Sequence, residues 1–174
     1  MQHRIMRVLA IDPGYERMGV AVVETASPKE VVLYSDCFQT KVETPFPDRL
    51  VQIGHHIESI LHKYSPDALA LEQLFFNTNQ KTAMRVSEVR GVMIYLGRAN
   101  NKAVFEYTPL QVKIAILGYG RGEKRQITDM VEKLVSVSKK IRFDDEYDAI
   151  AIGLTCLAHQ KNFLYRQEKQ KNMP

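Results

Sequence analysis

Near residue 45 the hydrophobic pattern of this chain changes period. Before that point the apolar residues come in strand-like runs. Arg7 to Ile11 is a short run closed by the turn Asp12-Pro13-Gly14. Met18 to Glu24 and Val31 to Lys41 are rich in β-branched and aromatic residues, with a turn at Ser27-Pro28-Lys29-Glu30 between them. After that point Leu50, Ile53, Ile57, Ile60, Leu61 and Tyr64 recur at helical spacing, which predicts an amphipathic helix from Asp48 to Tyr64. The two periods then alternate. Ala68 to Leu71 reads as a buried strand ended by Glu72, and Phe75 to Gln80 as a loop. Lys81 to Ala99 reads as a helix, and Ala103 to Tyr107 as a strand. Thr108-Pro109-Leu110-Gln111 is a helix start, with a Thr cap, Pro at the first helical position and Gln three residues after the cap. A glycine-rich break at Gly118, Gly120 and Gly122 precedes a helix from Glu123 to Val137. A final helix begins near Asp144.

This order restricts the architecture. The first three strands are close enough in sequence to form an antiparallel meander, whereas strands separated by helices must pair in parallel through crossovers. The expectation is an α/β fold with a five-stranded mixed sheet flanked by helices on both faces. A chain of 174 residues suffices for one such domain, placed at 1–160, with residues 161–174 a frayed basic tail.

Composition narrows the class. Hydrophobic residues make up 45% and charged residues 25%, the balance of a soluble globular protein. No apolar run approaches the roughly 18–20 residues that span a bilayer, and the first residues lack a signal-peptide core. A cytoplasmic location is expected. Cys37 and Cys156 lack zinc-ribbon or CxxC spacing and read as core thiols. The net charge of +4 is compatible with a nucleic-acid partner without requiring one.

The chemistry is carried by acids in places where a core would not take them. Asp12 and Glu72 each end a buried strand, and functional sites of α/β sheets form at such carboxyl ends. The last helix opens Asp144-Asp145-Glu146-Tyr147-Asp148, which places Asp145 and Asp148 on one face. Acids favour any helix N-terminus. Asp148, however, directly precedes the apolar body Ala149 to Ala158, so its face is expected to point toward the sheet. An inward carboxylate needs a partner. Oxygen donors alone select hard cations such as Mg²⁺ or Mn²⁺, and one or two such ions can drive phosphodiester hydrolysis.

The ordered set Ile11-Asp12-Pro13-Gly14, Leu71-Glu72-Gln73 followed by Phe75, Phe105-Glu106-Tyr107 followed by Gln111-Val112-Lys113, Glu123-Lys124, and Asp145-x-x-Asp148-Ala149-Ile150-Ala151 resembles the RuvC family of bacterial Holliday-junction resolvases, within the RNase H-like superfamily. The resemblance runs from Arg7 to His159. It implies the RNase H-like fold, and a homodimer that nicks a four-way DNA junction symmetrically during recombination and repair, leaving 5′-phosphate and 3′-hydroxyl ends. It implies Asp12, Glu72, Asp145 and Asp148 as Mg²⁺ ligands, one or two ions per subunit with Mn²⁺ as substitute, and Lys113 and Lys124 as catalytic lysines near the scissile phosphate. It assigns Phe75 as a wedge stacking on a base, with Phe76 and Asn77 beside it, and Arg121 and Arg125 as DNA contacts. The helix with Met93 and Leu96 would lie in the dimer interface. A branch-migration helicase, the RuvA–RuvB complex, is the implied partner.

Three rivals remain at the level of sequence. A sugar-kinase-like ATPase would use Asp12-x-Gly14 as a phosphate loop, but that class needs a second lobe. An RNase H-like nuclease acting on RNA or on another branched DNA would share the carboxylates. A non-catalytic junction-binding module would leave the full acidic set without purpose.

Overall fold

β1 (Arg7–Asp12) runs through the middle of the sheet, and its residues Val8 to Ile11 are wholly buried. Successive side chains of a strand point to opposite faces, so a central strand feeds two cores. Val8 and Ala10 go to one and Leu9 and Ile11 to the other. A computed structural model describes residues 5–74, 80–137 and 139–171, without the side chains of residue 80 and of residues beyond 160. In it β2 (Arg17–Glu24) and β3 (Glu30–Gln39) follow β1, then α1 (Phe46–Tyr64), β4 (Ala68–Glu72), α2 (Gln80–Ala99) and β5 (Ala103–Tyr107). α3 (Pro109–Leu117), α4 (Lys124–Leu134), β6 (Val135–Val137) and α5 (Asp144–Lys171) complete the described order.

The sheet runs β5-β4-β1-β2-β3-β6. β1, β2 and β3 form the antiparallel meander, while β1–β4, β4–β5 and β3–β6 pair in parallel. One face packs on α1 and α2 through Ile53, Ile57, Ile60, Val89 and Met93. The other packs on α3, α4 and α5 through Val112, Ile116, Ile127, Val131, Ile150 and Leu157. This is the expected mixed sheet with helices on both faces. Among the described residues it has six strands rather than five.

The extra strand is a correction to the helix expected from Glu123 to Val137. α4 stops at Leu134, after burying Ile127 and Val131. Val135-Ser136-Val137 then leaves the helix in extended geometry and pairs with Glu30, Val31 and Val32. β-branched residues in alternation fit a pleated surface better than a helix end, and β3 offers them an edge. The start of α3 is as expected: Thr108 Oγ1 accepts from the Gln111 N–H at 3.1 Å, and Gln111 Oε1 accepts from the Thr108 N–H at 2.8 Å.

Met93 is fully buried in this chain's own core, so it is unavailable to an interface; among the described residues the large exposed hydrophobics of α2 are Met84 and Tyr95. Cys37 and Cys156 are buried free thiols. α5 carries its helical backbone to Lys171, into the segment expected as a tail. No helix among the described residues is long and apolar enough to cross a membrane.

Candidate active site

Ile11 pairs with Leu71 in the parallel β1–β4 register. Asp12 and Glu72 are the next residues, so they leave the same end of two adjacent strands side by side. α5 crosses the sheet above β1 and β2 and brings Asp148 into the same cleft. That cleft is lined by Asp12, Glu72, Lys113, Lys124 and Asp148, with Pro109, Val112, Ile127 and Ile152 as its apolar wall. Three segments distant in sequence therefore deliver three carboxylates to one place, as expected.

The charges there are in conflict. The Asp12 carboxyl is pushed from its ordinary 3.8 up to about 8, first by burial and then by the negative charges of Glu72, Asp148 and Asp145. Burial and Asp148 push Glu72 up against the opposing charges of Arg90 and Lys124. Burial likewise pushes Asp148 up although Lys124 pulls it down. Lys124 Nζ stands 3.0 Å from Asp148 and 3.6 Å from Asp144.

Asp145 is placed differently. It shares the helix face with Asp148 but does not line the cleft. Its Oδ2 accepts from the Arg17 guanidinium and lies 3.6 Å from Cys37 Sγ. The backbone there sits directly on the sheet: a Cβ added to Gly19 would fall 1.9 Å from the Asp145 carbonyl oxygen. Only glycine at position 19 lets the first turn of α5 come this close to β2.

Lys113 is half-buried on the cleft wall, and Arg121 and Arg125 are exposed around the start of α4. Phe75, Phe76 and Asn77 lie outside the described residues. Two partners of the site carry no local sequence signal. Arg17 reaches Asp145 across 128 positions, and Arg90 donates to the backbone oxygen of Glu72 and to Glu106 from a helix 18 residues on.

The donor set suits a hard divalent cation. It is made of carboxylate oxygens, and the strain on Asp12 is the one that a cation would relieve. Among the described residues, no three acidic, histidine or cysteine side chains are gathered closely enough to cage an ion as they stand. Lys124 and Arg17 hold Asp148 and Asp145 in ion pairs instead. The carboxylates fit a hard cation by their chemistry rather than by a preformed cage among the described residues.

A family model described as crossover junction endodeoxyribonuclease RuvC matches residues 8–156. The chain is 40% identical over 158 residues to the crossover junction endodeoxyribonuclease RuvC of Alkaliphilus metalliredigens, covering 91% of this chain and 96% of that protein. It is 40% identical over 161 residues to the same enzyme of Desulfitobacterium hafniense, covering 92% and 97%. Its structure is similar to that of T. thermophilus RuvC in complex with Holliday junction substrate, with a TM-score of 0.81 and 30% identity over 86% of this chain and 92% of that one. The yeast mitochondrial Holliday junction resolvase Ydc2, at 14% identity and a TM-score of 0.67 over 92% of this chain and 84% of that one, shares the fold.

Proposed function

The chain belongs to the RuvC family of crossover junction endodeoxyribonucleases, and from that premise we propose that it resolves four-way DNA junctions by metal-dependent hydrolysis at the cleft described above. The observation that carries the reading is the convergence of Asp12, Glu72 and Asp148 in one cleft with two lysines on its wall. Asp12, Glu72 and Asp148 would hold Mg²⁺, one or two ions per subunit with Mn²⁺ able to substitute, and Asp145 would join them once released from Arg17. A cation bound there would supply activation of a water and stabilisation of the leaving oxygen of a phosphodiester.

The chain's own residues do the rest. The water oxygen bonds to phosphorus while the bond from phosphorus to the 3′ oxygen breaks, and a proton given up by the water ends on that 3′ oxygen, which leaves 5′-phosphate and 3′-hydroxyl ends. Lys113 and Lys124 line the cleft, and Lys124 pairs with Asp148; the two would hold the scissile phosphate against the carboxylates, with Lys124 exchanging Asp148 for the phosphate. Arg121 and Arg125 extend the positive surface along the backbone. Phe75, with Phe76 and Asn77, would stack in the opened junction. A second copy docking on α2 through Met84 and Tyr95 would present two clefts related by two-fold symmetry, matching the symmetry of the junction. A branch-migration helicase complex, RuvA–RuvB, is the proposed partner.

The test uses a synthetic four-way junction, a linear duplex and an RNA–DNA hybrid, each with Mg²⁺ or with chelator. Paired symmetric nicks in the junction alone, dependent on metal, are expected. Cleavage of the hybrid alone would refute the reading.

A further inference from the structure

Glu146 lies in sequence between the candidate ligands Asp145 and Asp148, but its side chain does not line the cleft. Glu146 is 2% exposed, and both carboxylate oxygens are occupied. Oε2 accepts from Ser35 Oγ at 2.8 Å and from Lys139 Nζ at 2.7 Å, and Oε1 accepts from the Arg142 N–H at 3.4 Å. Lys139 Nζ also donates to the Ser35 backbone oxygen at 2.7 Å, which closes a ring of contacts.

Those contacts join three elements. Ser35 belongs to β3, Glu146 to the first turn of α5, and Lys139 to the connection that follows β6. The same turn is pressed against β2 at Gly19 with no space for a Cβ. A helix turn touching the sheet at one point can still rotate about it. A second, directional attachment removes that freedom. On a helix each residue is rotated by about 100° from the last, so fixing Glu146 toward β3 also fixes the directions of Asp145 and Asp148. An ion pair with hydrogen bonds on both oxygens specifies that orientation more sharply than an apolar contact of similar size, the use of buried polar groups best supported elsewhere.

We propose that Glu146, clipped to Ser35 and Lys139, is a positioning residue that sets the rotation of the α5 first turn and so aims Asp148 at Asp12 and Glu72. Glu146 is not itself a ligand. The inference rests on the reading of those carboxylates as the metal site. Partners that orient ligands typically change metal affinity or activity by about 10–100-fold when removed.

The experiment compares full-length wild type with Glu146→Ala, Glu146→Gln and Lys139→Met, all confirmed folded by circular dichroism. Three quantities are read: Mn²⁺ affinity without DNA by titration calorimetry, junction affinity in chelator, and the single-turnover cleavage rate. Glu146→Ala is expected to weaken Mn²⁺ binding and slow cleavage by about tenfold or more, with junction affinity within about threefold. Glu146→Gln keeps the size and the Ser35 contact, so its deficits should be smaller. A folded Glu146→Ala that binds Mn²⁺ and cleaves within about twofold of wild type overturns the clip. If Glu146→Ala does not fold, Lys139→Met decides: loss of Mn²⁺ affinity and rate in parallel supports the clip, and wild-type values for both overturn it. Wild type that neither binds Mn²⁺ nor cleaves would overturn the proposed function as well, which separates the two failures.

Discussion

Asp12→Asn in metal-free protein tests the electrostatics of the site without measuring catalysis. The Asp12 carboxyl titrates at about 8 in the folded chain, against an ordinary value of 3.8. Between those values the folded state binds more protons than the unfolded state, so stability falls as pH rises. The stabilisation is fully present below about pH 4 and is lost as pH climbs through about 8. At about 1.36 kcal/mol per pH unit the ceiling is about 5–6 kcal/mol. Part of that belongs jointly to Glu72 and Asp148, which titrate with Asp12, and solvent and counterions relax more of it, so about 2–3 kcal/mol is the expected size. Urea unfolding in chelator at about pH 5 and about pH 9, at fixed protein concentration, measures it. Wild type should lose about 2–3 kcal/mol more than Asp12→Asn across that interval. Saturating Mg²⁺, at about 100 times its dissociation constant, should return about 2.7 kcal/mol to wild type and much less to the variant. Parallel pH profiles for the two proteins would refute the reasoning, because they would mean that Asp12 is not charged at the expense of the fold.

Other perturbations separate the parts of the site. Asp148→Asn should bind the junction in chelator as wild type does, yet cleave more than about a hundredfold more slowly, beyond the range of residues that merely orient ligands; normal cleavage would remove Asp148 from the metal site. Gly19→Ala would place a methyl 1.9 Å from the Asp145 carbonyl oxygen and 2.6 Å from its carbon, contacts that only backbone movement relieves. A loss of about 1–3 kcal/mol in thermal or urea unfolding is expected, with cleavage lost at temperatures where the variant is still folded. Phe75→Ala should reduce cleavage more than junction affinity, since a stacked base is worth about 1–3 kcal/mol; a gel assay showing unchanged cleavage would end the wedge assignment.

The sequence made the alternation of strands and helices legible because periodicity is local. β1, β4 and β5 each sit within five or six residues of a turn or cap, and each emerges close to its expected bounds. β6 was not legible. Three residues following directly on α4 extend its apolar pattern, and only the free edge of β3 decides that they form a strand. The acids divide in the same way. Asp12 and Glu72 were readable as strand ends, and Asp148 by its place before an apolar helix. Asp145 was readable as a neighbour on the same face, but its attachment to Arg17 was not, because nothing near position 145 signals a residue 128 positions earlier. The attachment of Glu146 was hidden for the same reason: its partner Ser35 is 111 positions away.

Lys124 and Arg17 pair with Asp148 and Asp145 beside the sheet end that carries Asp12 and Glu72. Lys124 is the most consequential, since it opposes the rise in Asp12, Glu72 and Asp148 alike. Its charge keeps the three carboxyls more easily ionised, and only an ionised carboxylate binds a hard cation well. The same ammonium also repels an incoming divalent ion. The balance between these effects depends on pH. In Lys124→Ala all three acids should hold their protons to higher pH, so protons should compete with Mn²⁺ more strongly at about pH 6 than in wild type. Toward about pH 9 the carboxyls lose their protons in both proteins, later in the variant, so its deficit in Mn²⁺ binding should shrink as the repulsion becomes what distinguishes the two. Mn²⁺ titrations across that range should therefore give a steeper pH dependence for Lys124→Ala, closing on the wild-type curve as pH rises. Two curves of the same slope would show that Lys124 acts on the phosphate alone and leaves the ionisation of the carboxylates to burial.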